Sequence, residues 1–203
     1  MRIWPLNIKV QENTTPEKID IENASLKKTQ VPQKGEAGSF WENRGDRYHC
    51  GVDLYAPENT EVVSVERGIV AETGLMTSPE ILPYWNPTYY VIIEQSKGLF
   101  CKYGELAGFT VKKGDEIEPG DLIGRVGMVL NSKKIDGSCP LYIQKLKNKN
   151  PSMLHFEVWK DKPISAHRDY LGGNWFAEEI PENLIDPTGY LERLDDPYKS
   201  IVP

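Results

Sequence analysis

The chain is poor in the residues that carry most site chemistry. Histidine occurs three times, at His49, His155 and His167. Cysteine also occurs three times, at Cys50, Cys101 and Cys139. The odd count and the lack of any CxxC spacing give no support to a disulfide framework. The cysteines read as small buried apolar residues, with Cys50 set apart only by its neighbour His49. Long apolar runs are missing too, and none approaches the ~20 residues needed to cross a bilayer. No long basic run exists and the net charge is −6. Nucleic acid and anionic membranes are therefore excluded as expected partners, because phosphate binding needs clustered Lys and Arg. The opening "MRIWPLNIKVQENTTPE" has no apolar signal core and no small-residue cleavage site. The expectation is a chain that is cytoplasmic, is exported by another route, or has its signal outside this sequence.

What is present is the texture of a β protein. The 203 residues suit one sizeable β domain with its own core and an arm. An apolar fraction of 39% and a charged fraction of 27% are ordinary for a globular chain. Residues 1–40 read as an extended arm, polar and without periodicity from residue 11. From Trp41 onward, short apolar runs alternate with Gly, Pro and Asn. Strands are expected at 51–54, 61–65, 68–73, 89–94, 99–103, 122–126 and 153–159. Helical periodicity is nearly absent; one or two turns are expected in "PTGYLERL", where Pro187 suits a first helical turn. Two segments interrupt the β rhythm, near 75–88 and 130–152. Loops of that length inside a compact domain are often functional.

The chemistry is concentrated in two short stretches. In "MLHFEVW", Leu154, Phe156 and Val158 alternate with Met153, His155, Glu157 and Trp159. A strand turns the first set to one face and the second to the other. In "HCGVDL", alternation places His49, Gly51 and Asp53 on one side. On an ideal strand His49 and Asp53 stand ~13 Å apart, too far to share an ion. A bend at Gly51 is therefore required if they do. Two imidazoles and one carboxylate would suit zinc, whose catalytic sites use three protein ligands and leave the fourth position to water. Spacing alone does not separate that reading from coincidence.

The order of blocks adds to it. "HCGVDLYAPENTEVVSVERGIVAETG", "YVIIEQSKGLFCKYGELAGFTVKKGDEIEPGDLIGRVG", "LHFEV" and "LIDPTGYL" follow one another as in the lysostaphin-like, LytM-type zinc metalloendopeptidases. The similarity spans Trp41 to Leu194 without the two insertions. It implies an all-β, antiparallel β-sandwich of the lysostaphin, duplicated-hybrid-motif type. It also implies Zn2+ held by His49, Asp53 and His155, and a peptide or peptidoglycan partner at the cell wall. The family's A-P-x-G-T has Asn59 in place of Gly. Its Y-x-H-L reads "YGEL" and its H-x-H reads "MLH". Glu105 and Met153 thus stand where members have catalytic histidines, and methionine cannot take up a proton.

Three readings follow. In one, the chain is a zinc hydrolase with Glu105 as base and His167 as a second group. In another, it binds zinc and a peptide, cell wall or protein partner without cutting. In the third, zinc is only structural or is absent. Glu157 is expected to orient His155, Met153 to fill the pocket wall, and Tyr103 to line the groove or pack on the sheet. The glucose-type sugar-phosphotransferase carrier domains share the β texture, but their second active-site histidine motif is not reproduced.

Overall fold

The structure is a computed structural model that describes residues 2–7, 30–147, 149, 152–163 and 167–194. Most of the polar arm, residues 8–29, lies outside the described residues. Thirteen strands are present among them: β1 (Leu6–Asn7), β2 (Tyr48–His49), β3 (Val52–Tyr55), β4 (Glu61–Val63), β5 (Gly68–Thr77), β6 (Thr88–Gln95) and β7 (Phe100–Phe109). The series continues with β8 (Glu116–Ile117), β9 (Leu122–Val126), β10 (Met153–Trp159), β11 (Tyr170–Leu171), β12 (Asn174–Trp175) and β13 (Leu184–Ile185). Among the described residues, helix is confined to α1 (Leu141–Leu146), α2 (Thr188–Glu192) and a 3-10 turn at Ser132–Lys134. Pro187 caps α2 at its N-terminus, and α1 follows Pro140. With six residues, α1 is too short to leave a helical period in the sequence.

Ten strands form one antiparallel sheet in the order β1-β4-β9-β7-β6-β5-β8, with β10 pairing β7, β3 and β13. The other three form a small sheet, β11-β12-β2. The architecture is all-β and antiparallel, as the texture predicts. Leu6 pairs with Val62 and is 1% exposed, so the start of the arm is built into the sheet.

β10 is the strand on which both faces matter. Leu154, Phe156 and Val158 join the main core with Val52, Leu54, Val91, Ile93 and Leu106. The alternate set of Met153, His155, Glu157 and Trp159 is buried as well. The small sheet covers that second face. Trp159 packs edge-on against Tyr170, with ring centroids 6.2 Å apart, and shares a cluster with Cys50 and Leu184.

The two long segments are docked on each other. Asn86 Nδ2 donates to the carbonyls of Met128 and Leu130 at 3.0 and 3.2 Å. Asn131 N donates to the Tyr84 carbonyl at 2.9 Å. Between them lies a second apolar cluster that includes Tyr84, Trp85, Leu130, Ile135 and Ile143. No helix among the described residues is long and apolar enough to cross a membrane.

Candidate metal centre

The chain bends between β2 and β3, at Cys50 and Gly51. His49 therefore pairs with Asn174 in the small sheet, while Asp53 pairs with His155 in the large one. Glycine is required at the bend: a Cβ on Gly51 would sit 2.4 Å from the Phe156 carbonyl oxygen and 3.0 Å from His155 Cε1. The turn brings three atoms together. His49 Nε2 lies 2.9 Å from His155 Nδ1, and both nitrogens lie 3.0 Å from Asp53 Oδ1. All three residues are at most 4% exposed.

The far side of each ring sets its tautomer. His49 Nδ1 is 2.9 Å from the Ser39 carbonyl oxygen, which can only accept. His155 Nε2 is 2.8 Å from Glu157 Oε1. Each ring thus carries a proton on its outer nitrogen and turns a lone pair inward. Two imidazole lone pairs and a carboxylate oxygen then face one another in a buried space. Three converging acceptors repel, so something positive belongs among them. A tetrahedral ion with bonds of about 2.0–2.1 Å has ligand atoms roughly 3.3 Å apart, a few tenths of an ångström wider than this triangle. The donor set, N, N and O, fits zinc.

The electrostatics agree with this geometry. Burial works against ionisation of Asp53, but His49, His155 and Arg44 hold its carboxyl well below the usual carboxylate range. Burial lowers the basicity of His155; the carboxylates of Asp53 and Glu157 outweigh it and raise the pKa to about 9. Metal uptake therefore competes with a proton for the inward nitrogen of His155.

Outer groups hold the three in place. Arg44 donates to Asp53 Oδ2 at 2.9 Å, to Glu42 Oε2 at 3.1 Å and to Asn174 Oδ1 at 3.1 Å. This leaves Oδ1 of Asp53 for the histidines. Glu157 accepts from Tyr170 OH at 2.6 Å and from Trp159 Nε1 at 2.7 Å. Its pKa is about 2: burial raises it, and Lys102 together with the hydrogen bonds of His155 and Tyr170 more than offsets that. Lys102 is 1% exposed. It donates to Tyr170 OH at 2.5 Å and lies 4.6 and 4.4 Å from the ring centroids of Tyr90 and Tyr170. Neither Arg44 nor Lys102 stands out in the sequence. Arg44 precedes the motif in a loop, and Lys102 is assigned to Glu157 only by strand register.

The other candidate residues separate. Glu105 and Met153 line the same cavity as Asp53, a space of about 350 Å³. Glu105 lies within a register shift of β7 against β6 and has a left-handed φ of 61°. The bulge takes it off the alternation and aims it at the cavity. Burial and the Asp53 charge push its pKa up to about 8. Met153 is 8% exposed and forms wall. Tyr103 does not line the groove. It is fully buried on the core face, its ring packs edge-on against Phe156, and its hydroxyl accepts from Val65 N at 3.0 Å. His167 is not brought to the cluster or to the cavity wall. Its ring stacks on Trp175 at 4.9 Å, and its Nδ1 accepts from Asp169 N at 3.2 Å. The Cys50 thiol, raised by burial, packs away from the site with Trp159.

Solved structures resemble the chain at low identity. The catalytic domain of the antimicrobial peptidase lysostaphin from Staphylococcus simulans is 18% identical, with 76% of this chain and 87% of that chain covered and a TM-score of 0.48. LytU is 18% identical, with 85% and 87% covered and a TM-score of 0.47. A zinc containing peptidase from Vibrio cholerae is 22% identical, with 70% of this chain and 40% of that one covered and a TM-score of 0.42. No curated protein matches the sequence significantly. The sequence profile of peptidase family M23 matches residues 47–166, more than half of the chain and inclusive of His49, Asp53, Glu105 and His155, and the chain belongs to that family.

Proposed function

We propose that this chain is a zinc metallopeptidase-like protein that acts on peptidoglycan or glycine-containing peptides at the cell wall. The observation that carries the reading is the convergence of His49 Nε2, His155 Nδ1 and Asp53 Oδ1 within 3.0 Å of one another. Zinc held by these three would supply a Lewis acid that polarises a scissile carbonyl and acidifies its water. Ser39, Glu157 and Arg44 keep the ligand atoms turned inward. Glu105 is the proton acceptor: it is half-buried, lines the cavity beside Asp53 and has the raised pKa that suits a general base near neutrality. Met153 neither takes nor gives a proton there, so one carboxyl performs the transfers on both sides of the reaction.

Met153 also favours a second reading, a zinc-binding domain that holds a peptide, cell wall or protein partner without cutting. One set of measurements divides the two. Purified protein should contain about one zinc per chain, and His155→Ala should lose it. Protein that neither carries zinc nor takes it up on addition overturns the metal reading. With zinc present, Glu105→Gln should keep the metal and slow the digestion of purified peptidoglycan or Gly-rich peptides by about 10²–10⁴-fold. Substrate left intact by the unaltered protein, with measurable binding, establishes the non-cutting form.

A further inference from the structure

The cavity beside the metal cluster is not shaped for glycine alone. At about 350 Å³ it falls within the range of sites that enclose a ligand group. One part of its wall is the cluster side: Asp53, Glu105 and Met153. Another part comes from the two long segments, through Trp85, Leu130, Ile143 and Leu146, and the loop before β2, with Glu42 and Arg44, completes much of the remainder. These apolar groups belong to the cluster that docks the segments on each other, so the wall is fixed before any ligand arrives. A backbone with no side chain would leave most of that surface uncovered.

The charges on the wall point to a second property. Arg44 is occupied by Glu42 and Asp53. Lys145 and Lys149, also on the cavity wall, are exposed, and neither pairs with a carboxylate among the described residues. The stretch 130–152 carries five lysines against one aspartate, in a chain whose net charge is −6. The rim contributed by this segment is cationic where the protein as a whole is anionic.

We infer that the cavity accepts a large apolar side chain of an acidic peptide, with the peptide's carboxylate held by Lys145 and Lys149. The inference rests on the peptide-directed reading above and names its substrate class. The side chain fills the space against Trp85, Ile143 and Leu146, which places the neighbouring peptide bond over Asp53 and Glu105. The two segments are thus the specificity element, and the cluster supplies the chemistry.

The test is equilibrium binding by fluorescence anisotropy with the full chain, both zinc-loaded and chelator-treated. The probes are labelled Gly-Gly-Gly-Gly-Gly, Gly-Gly-Phe-Gly-Glu and Gly-Gly-Phe-Gly-Lys. The Phe-Glu peptide should bind at least roughly tenfold tighter than pentaglycine, the order expected when an aromatic side chain is buried. Leu146→Asp, checked for an unchanged unfolding midpoint, should abolish that advantage. Lys145→Glu combined with Lys149→Glu alters only exposed side chains and should reverse the preference for Glu over Lys. Equal binding of pentaglycine, or an advantage that survives Leu146→Asp, overturns the inference. Selectivity that persists after chelation in protein that takes up no zinc sustains the cavity inference while the metal reading falls. Zinc uptake without selectivity does the reverse.

Discussion

Glu105 combines its proposed role as proton acceptor with backbone strain. Its φ of 61° lies in the left-handed region, where a side chain costs of the order of 1–3 kcal/mol. Its N–H leaves the regular ladder and points at Met76 Sδ, 3.2 Å away. Glu105→Gly should therefore raise stability by about 1 kcal/mol in denaturant unfolding, and under the proposed role of Glu105 it should also abolish any peptide hydrolysis. Asn59 shows the milder form of the same constraint. Its φ is 68°, and it stands where the family pattern has glycine; asparagine is among the few residues that tolerate that conformation. Arg44 acts through Asp53. Arg44→Ala frees Oδ2 and lets the carboxylate turn, so zinc affinity should fall about 10–100-fold, as read by competition with a chelating dye.

At the scale of elements, the decisive feature is the break between β2 and β3. A continuous strand would keep His49 and Asp53 apart; the bend sends them into different sheets and back to one point. Gly51→Ala places a methyl group against the Phe156 carbonyl. It should destabilise the fold by about 1–3 kcal/mol in denaturant titration and weaken zinc binding, because His49 and Asp53 shift relative to each other. The need for this bend is legible from spacing, and so are β10 and its two faces. The short strands β11, β12 and β13 are not legible. Each is two residues long and owes its pairing to neighbours distant in sequence. The bulge at Glu105 escapes sequence reading for the same reason, since "YGEL" continues an alternating pattern that only the partner strands interrupt.

At the scale of the molecule, two of the apolar clusters divide the work. The main core holds the large sheet, and the smaller cluster around Trp85 and Leu130 holds the long segments over the cavity. Trp85 also packs close to Gly172, on the turn between β11 and β12. Trp85→Ala should loosen this second cluster by about 3–5 kcal/mol. Amide exchange should quicken through residues 130–147 and stay slow in β7 and β10.

The division between sequence and structure follows from range. The sequence by itself determined the all-β class, most of the longer strands and the family blocks, because alternation and motif order are local properties; His49, Asp53 and His155 came forward as a candidate set through those blocks, since their spacing alone left coincidence open. Only the tertiary structure decided that Tyr103 belongs to the core and His167 to the surface. It also decided that Arg44 and Lys102 stand behind the cluster of His49, Asp53 and His155 and that the two insertions meet to form one wall. Those placements depend on strand register, a bulge and contacts between segments far apart in the chain, and no local pattern encodes them.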